Sequence, residues 1–460
     1  MARIKTARSV HGLWSSPRRF VLAASGFTIS LNNIWQFPYH VVQYGGGAFI
    51  TVYVIFMFLL GLPLFTAQLM LGRLARLSPV NTMRDLIRRT QGSRAWLSLG
   101  VLVTVAGLLI LSWYSVIAGW LLAYVVRSVA GLLGNLSAYT AASEFSAFVS
   151  DPERQLFWHS LFMVMTMAVV ARGVRHGIEA VSSVVVPVLL AMLAVLAVYA
   201  AVSGDMVHSV AFFVTPDFLK LSGQGVLTAL GDAFFSLGLG AGAMMMYGAY
   251  LPSHTHIVRT ALIVVLVDIA AAVMAGMVIL PLLYAAGGTP TQGPALVFRA
   301  LPVSFDVLPL GGLMQAVFFI FLVLVAWMSS VALAEPAVTW LIESRGMTRL
   351  RASMVAGFCA WLLGIVTILS FSAWKFSFRF LGLTETFGVF DVLQILTSSF
   401  IMPVIGVLSA VFAAWVLSTT MTREALAVRS RCTYDAWLWL TRLAVPVWLV
   451  IVAFNMRIFL

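Results

Sequence analysis

The sequence predicts an all-α polytopic membrane protein, and three observations carry that prediction. The chain is 61% hydrophobic and only 10% charged over 460 residues, with a mean hydropathy of +1.01, well beyond what a soluble domain of this length carries. Apolar runs of roughly 20 residues, enough to cross about 30 Å of hydrocarbon, recur almost to the C-terminus and leave little room for a soluble domain. Basic residues collect in alternate connections between those runs, as the positive-inside rule requires.

Taken in order, about eleven spans are expected, centred near Leu31, Phe58, Leu109, Met165, Leu189, Leu237, Val267, Val323, Leu363, Val404 and Trp448. Arg3, Lys5, Arg8, Arg18 and Arg19 precede the first span; Arg73, Arg76, Arg84, Arg88, Arg89 and Arg94 follow the second, and Arg172 and Arg175 the fourth. Arg345, Arg349 and Arg351 follow the eighth, and Arg423, Arg429 and Arg431 the tenth. These loops predict a multi-pass protein of the cell inner (plasma) membrane with a cytoplasmic N-terminus, and an odd number of spans puts the C-terminus outside. The formal charge of +12 is then a matter of topology and anionic lipid rather than of nucleic acid. Cys359 and Cys432 offer no disulfide framework and no metal spacing. The apolar run after Arg19 continues to Pro38 without an A-x-A-like cleavage site, unlike a secretory signal.

Two of the spans are broken. Ala23 to Gly47 reads AASGFTISLNNIWQFPYHVVQYGGG, and Ser236 to Gly242, about halfway along, reads SLGLGAG. Backbone unwound inside hydrocarbon needs protein or a bound polar ligand to satisfy its N–H and C=O groups. Interrupted spans in corresponding halves of a chain point to a secondary transporter with its site near the bilayer midplane.

LNNIWQFPYHVVQYGGGAF (Leu31 to Phe49), followed by GLPLFTAQLMLGR (Gly61 to Arg73), resembles the neurotransmitter:sodium symporter family. The likeness resurfaces in order at SWYSVIAGW (Ser112 to Trp120), FFSLGLGAGA (Phe234 to Ala243) and MSSVALAEP (Met328 to Pro336), and covers nearly the whole chain. It implies a leucine-transporter-type 5+5 inverted repeat with about 11 transmembrane helices, helices 1 and 6 being unwound at mid-membrane. Residues 1–460 would form one transporter domain: a cytoplasmic basic N-terminus over 1–19, repeat one over about 20–201, repeat two over about 224–421 and an extra helix over about 436–458. The implied function is sodium-coupled symport of an amino acid by alternating access, with no reaction catalysed.

An unwound helix pair offers amides to an anion and carbonyls to a cation, so a zwitterionic amino acid fits between them. The resemblance implies that the Leu31 and Asn32 amides and the Tyr114 hydroxyl hold the carboxylate, while carbonyls around Phe235 and Ser236 hold the amine. Ser30 stands where amine-selective relatives have an aspartate, which favours amino acids. Ile110, Phe235, Gly238, Ala241, Ser329 and Leu333 would line the side-chain pocket, reshaped by the large Phe27; helix packing is the other role such residues serve.

Sodium favours oxygen ligands, and the family's first sodium site maps onto the Thr28 carbonyl and the Asn33, Ser236 and Asp268 side chains. The second maps onto carbonyls of Gly26, Ile29 and Val325 and the Ser329 hydroxyl, where Met328 places a soft thioether in an oxygen position. One sodium, or two, is therefore expected. Asp232 and Asp268 fall near Tyr53 and Ser236, where chloride-dependent relatives hold the anion. Their fixed charge makes chloride redundant, and if close together they would share a proton.

At the outer gate Gln36 and Gln394 replace an arginine and an aspartate, turning a salt bridge into an amide pair. Gln68 replaces an acidic residue beside the first break. Trp14 and Glu343 match inner-gate positions, with His11 or Arg8 as partner, and His40 reads as a packed vestibule residue. Two readings from other classes remain: a non-transporting amino-acid sensor on the same scaffold, and an intramembrane aspartyl protease. Against the protease, Ala229 spoils the G-x-G-D pattern before Asp232, and the only Tyr-Asp pair, Tyr434–Asp435, follows it. The amino acid transported and the oligomeric state are not legible.

Overall fold

The computed structural model describes residues 11–372, 374, 388–428 and 430–454. Arg8, with the other basic residues ahead of His11, and Arg429 lie outside them. Every regular element among the described residues is helical, apart from an isolated bridge between Gly46 and Pro216.

Helix α1 (Pro17–Thr28) starts where Ser16 accepts the Arg19 amide and Pro17 supplies a preset first turn. It stops at Thr28 because Ile29 turns extended, at ψ 98. The chain then re-enters short helices α2 (Asn32–Trp35) and α3 (Phe37–Gln43), the latter with Pro38 in its first turn. Helices α4 (Gly47–Ala75), α5 (Arg94–Val129), α6 (Pro152–Ala171) and α7 (Val174–Ser203) follow.

The second interruption separates α8 (Gly223–Ser236) from the seven-residue α9 (Ala243–Ala249). Gly238, Gly240 and Gly242 have φ of 59, 85 and 88, a left-handed backbone that costs other residues about 1–2 kcal/mol each. Beyond lie α10 (Ile257–Ala285), α11 (Gly311–Arg345), α12 (Arg349–Phe371), α13 (Val389–Val416) and α14 (Arg431–Val452).

Eight helices among the described residues are long and apolar enough to cross a membrane. Of the other expected centres, Leu31 and Leu237 fall in the two interruptions and Met165 falls within α6. Hydropathy alone does not rank these helices by depth, but packing does. The most apolar stretches of α5 and α11 are 72% and 78% buried and form the middle of the bundle, whereas those of α7 and α14 are 28% buried and face outward. Where α4 meets α9, Gly72 lies on the Met245 carbonyl and Gly248 on the Leu69 carbonyl, so a Cβ at either would force the backbones apart.

Candidate functional site

Both helix interruptions border one cavity of about 210 Å³. From the first come Phe27, Ser30, Leu31 and Asn32; from the second, Phe235, Ser236, Gly238 and Ala241. Helix α5 contributes Ile110 and Tyr114, and α11 contributes Ser329 and Leu333. All ten residues expected around the substrate thus line the same space. The Tyr114 hydroxyl is enclosed beside Ser329 and the Leu31 backbone, with no hydrogen bond of good geometry among the described residues. A buried hydroxyl left open in this way is available to a ligand.

Behind the cavity wall, the residues expected at the first sodium site form one cluster. Asn33 Nδ2 donates to Asp268 Oδ1 at 2.9 Å, and Ser236 Oγ lies 2.9 Å from Asn33 Oδ1 and directly against Asp268 Oδ2. Tyr53 Oη is 3.1 Å from Ser236 Oγ and 3.4 Å from Asp268 Oδ2, and Thr28 is also beside Asp268. Asp268 itself is fully buried. Oxygens of Asn33, Ser236, Tyr53 and Asp268 thus converge around a buried carboxylate, a ligand set that fits a hard cation. At the second expected site the Ser329 hydroxyl is 3.3 Å from the carbonyls of both Phe27 and Val325. Met328 is fully buried, with Cβ and Cγ 3.4 Å from where a side chain on Gly26 would begin. Its thioether stem is packed against that glycine.

The two carboxylates belong to separate networks. Asp232 Oδ2 is paired with His40 Nδ1 at 2.8 Å, joining α3 to α8, and no hydrogen bond links Asp232 to Asp268 among the described residues. Sequence reading placed His40 in the vestibule without this partner. Gln36 and Gln394 both line the cavity, but no hydrogen bond joins them among the described residues, and Gln36 Oε1 has no partner there. Gln68 is buried, and its Oε1 is likewise unpartnered.

At the other end, Trp14 Nε1 donates to the Tyr247 carbonyl at 3.1 Å. Glu343 Oε1 is 2.7 Å from His11 Nε2, and its carboxylate also accepts from the Ser78 amide and Asn81 Nδ2. Sequence reading missed a deeper network here. Glu335, fully buried on α11, accepts from Arg349 Nη2 at 2.8 and 2.6 Å and from the Tyr250 hydroxyl at 2.5 Å. Its signal was a glutamate inside an apolar span, a feature that calls for a partner.

A cavity between two interrupted helices, backed by a buried oxygen cluster, in an all-helical membrane bundle defines a secondary transporter. The model of the sodium:neurotransmitter symporter family matches residues 11–143 and 150–458. The chain is 33% identical over 448 residues to the sodium-dependent transporter YhdH of Bacillus subtilis, covering 96% of this chain and 97% of that one. It is 25% identical to the sodium-dependent serotonin transporter of Drosophila melanogaster, over 72% of this chain and 59% of that one. Among solved structures, MhsT in complex with L-phenylalanine superposes with a TM-score of 0.86 at 34% identity, covering 97% of this chain and 99% of that one. The chain belongs to the sodium:neurotransmitter symporter family. It is accordingly a sodium-dependent transporter protein and not an enzyme, which removes the protease reading.

Proposed function

We propose that this protein carries an amino acid inward with sodium by alternating access. The observation that carries the reading is the oxygen cluster of Asn33, Ser236 and Asp268, which meets the cavity through Ser236. An ion in the cluster and a zwitterion in the cavity would share that serine, so each would favour the other. The structural relative bound to L-phenylalanine supports an amino-acid substrate, as does a cavity edged by Ile110, Phe235 and Leu333. The carboxylate would lie against the Leu31 and Asn32 amides and Tyr114, the amine against carbonyls of Phe235 and Ser236. Residues of about 20–201 and 224–421 would move as inverted repeats, with the N-terminus cytoplasmic and the C-terminus outside the plasma membrane. The test is uptake of a panel of amino acids into proteoliposomes with sodium and proton gradients imposed separately. Uptake independent of sodium would overturn the proposal.

Chloride independence is expected because Asp268 supplies negative charge within the cluster, whereas the charge of Asp232 is shared with His40. Exchange of chloride for gluconate at fixed sodium should leave uptake unchanged, and Asp268→Asn should introduce a chloride requirement.

Met328 gives a second expectation. Its sulfur is a poor sodium ligand, so sodium dependence of uptake should show a Hill coefficient of about one. Met328→Thr should raise that coefficient or tighten apparent sodium affinity, because the carbonyls of Gly26, Ile29 and Val325 and the Ser329 hydroxyl could supply the remaining oxygens. A wild-type coefficient of about two with no effect of the substitution would contradict the assignment.

A further inference from the structure

We propose that Asp232, aimed by His40, is a cation-docking position in the cavity, where an incoming sodium ion is held before it passes Ser236 to the Asp268 cluster. This rests on the sodium-coupled reading above and adds a route to it. Among the described residues that line the cavity Asp232 is the one carboxylate, and Asp268 is not one of them. Ser236 belongs both to the lining and to the cluster, so it is the portal between them. Asp232 stands four residues, just over one helical turn, ahead of it on α8, about 6 Å along the axis.

The local chemistry suits a cation in transit. His40 Nδ1 fixes one carboxylate oxygen at 2.8 Å, and both side chains are only 7% exposed, so the carboxylate cannot swing away. Asp232 Oδ1 and His40 Nε2 make no hydrogen bond among the described residues, and both residues line the cavity. Gln36, whose backbone carbonyl accepts the His40 amide at 2.9 Å, adds an enclosed Oε1 with no donor. None of the described residues lining the cavity is a lysine or arginine, so nothing among them neutralises the carboxylate apart from His40. A fixed charge in a low-dielectric cleft concentrates counter-ions and speeds their arrival. Tyr53 lies within electrostatic reach of both carboxylates and bonds to the second.

The experiment follows sodium-induced tryptophan fluorescence by stopped flow on the purified full-length protein, beside sodium titration of uptake. Asp232→Asn should slow sodium association roughly tenfold and raise half-saturating sodium, with sodium dissociation and substrate affinity at saturating sodium unchanged. Added choline chloride should slow association in the wild type and have no such effect in Asp232→Asn. His40→Leu should approach Asp232→Asn, and His40→Gln, which keeps an N–H for the carboxylate, should recover most of the loss. Weaker substrate affinity with normal sodium association would overturn the proposal and assign Asp232 to the substrate. A lower maximal rate with unchanged sodium kinetics would overturn it in favour of a mechanical clasp between α3 and α8. If Asp232→Asn does not fold, Asp232→Glu should retain the ionic-strength dependence, and its loss would count against the proposal. Wild-type uptake without sodium dependence would instead defeat the symport reading itself.

Discussion

Replacement of Arg349 by methionine is expected to destabilise the protein by about 3–5 kcal/mol, the cost of leaving a buried carboxylate without its cation. Glu335 is fully enclosed, so water cannot take over the two hydrogen bonds from Arg349 Nη2. The Tyr250 hydroxyl remains as a donor but carries no charge. Thermal melting of the detergent-purified protein should show a clear drop for Arg349→Met. The double variant with Glu335→Gln should recover part of it, because the uncompensated charge is then gone. Melting of Arg349→Met at the wild-type midpoint would show that the pair is solvated in the working protein. The expectation concerns breaking the pair and says little about its net worth, since apolar replacements of whole buried ion pairs are often neutral.

Tyr114→Phe is expected to weaken substrate binding roughly tenfold to a hundredfold, because a hydrogen bond to a charged carboxylate contributes about 1.5–3 kcal/mol. The hydroxyl makes no well-formed hydrogen bond among the described residues, so the cost to folding should be small. That separates this variant from most buried tyrosine substitutions, which disturb stability and binding together. Equilibrium binding of the best substrate found in the uptake panel, at saturating sodium, provides the measurement. Unchanged affinity would mean that the carboxylate is anchored elsewhere.

The breaks were the most legible part of the site, because glycine and asparagine inside long apolar runs leave few physical alternatives. Ile110, Tyr114, Ser329 and Leu333 could be added only through resemblance, since nothing in their local sequence separates a cavity-lining residue from a packed one. Pairings between distant segments were illegible for a different reason. His40 and Asp232 are separated by 192 positions, and neither residue's neighbours encode the other. At the inner end His11, named from the sequence as a partner, lies on Glu343, whereas the Tyr247 carbonyl that Trp14 reaches had no signal in the sequence. The glutamines named at the outer gate both line the cavity, but an amide has no net charge to draw its partner across a gap, and Gln36 Oε1 has no hydrogen-bond partner among the described residues.

The crossing of Phe27 and Gly238 makes the cavity adjustable in one direction only. The Phe27 ring occupies the space into which any side chain at Gly238 would extend, and Gly238 sits at φ 59. Trimming the ring enlarges the chamber without touching the backbone. Narrowing it from the glycine side collides with the ring first and still meets the left-handed backbone after the ring is cut back. Libraries aimed at new cargo therefore gain most of their useful diversity at Phe27, with Gly238 kept constant.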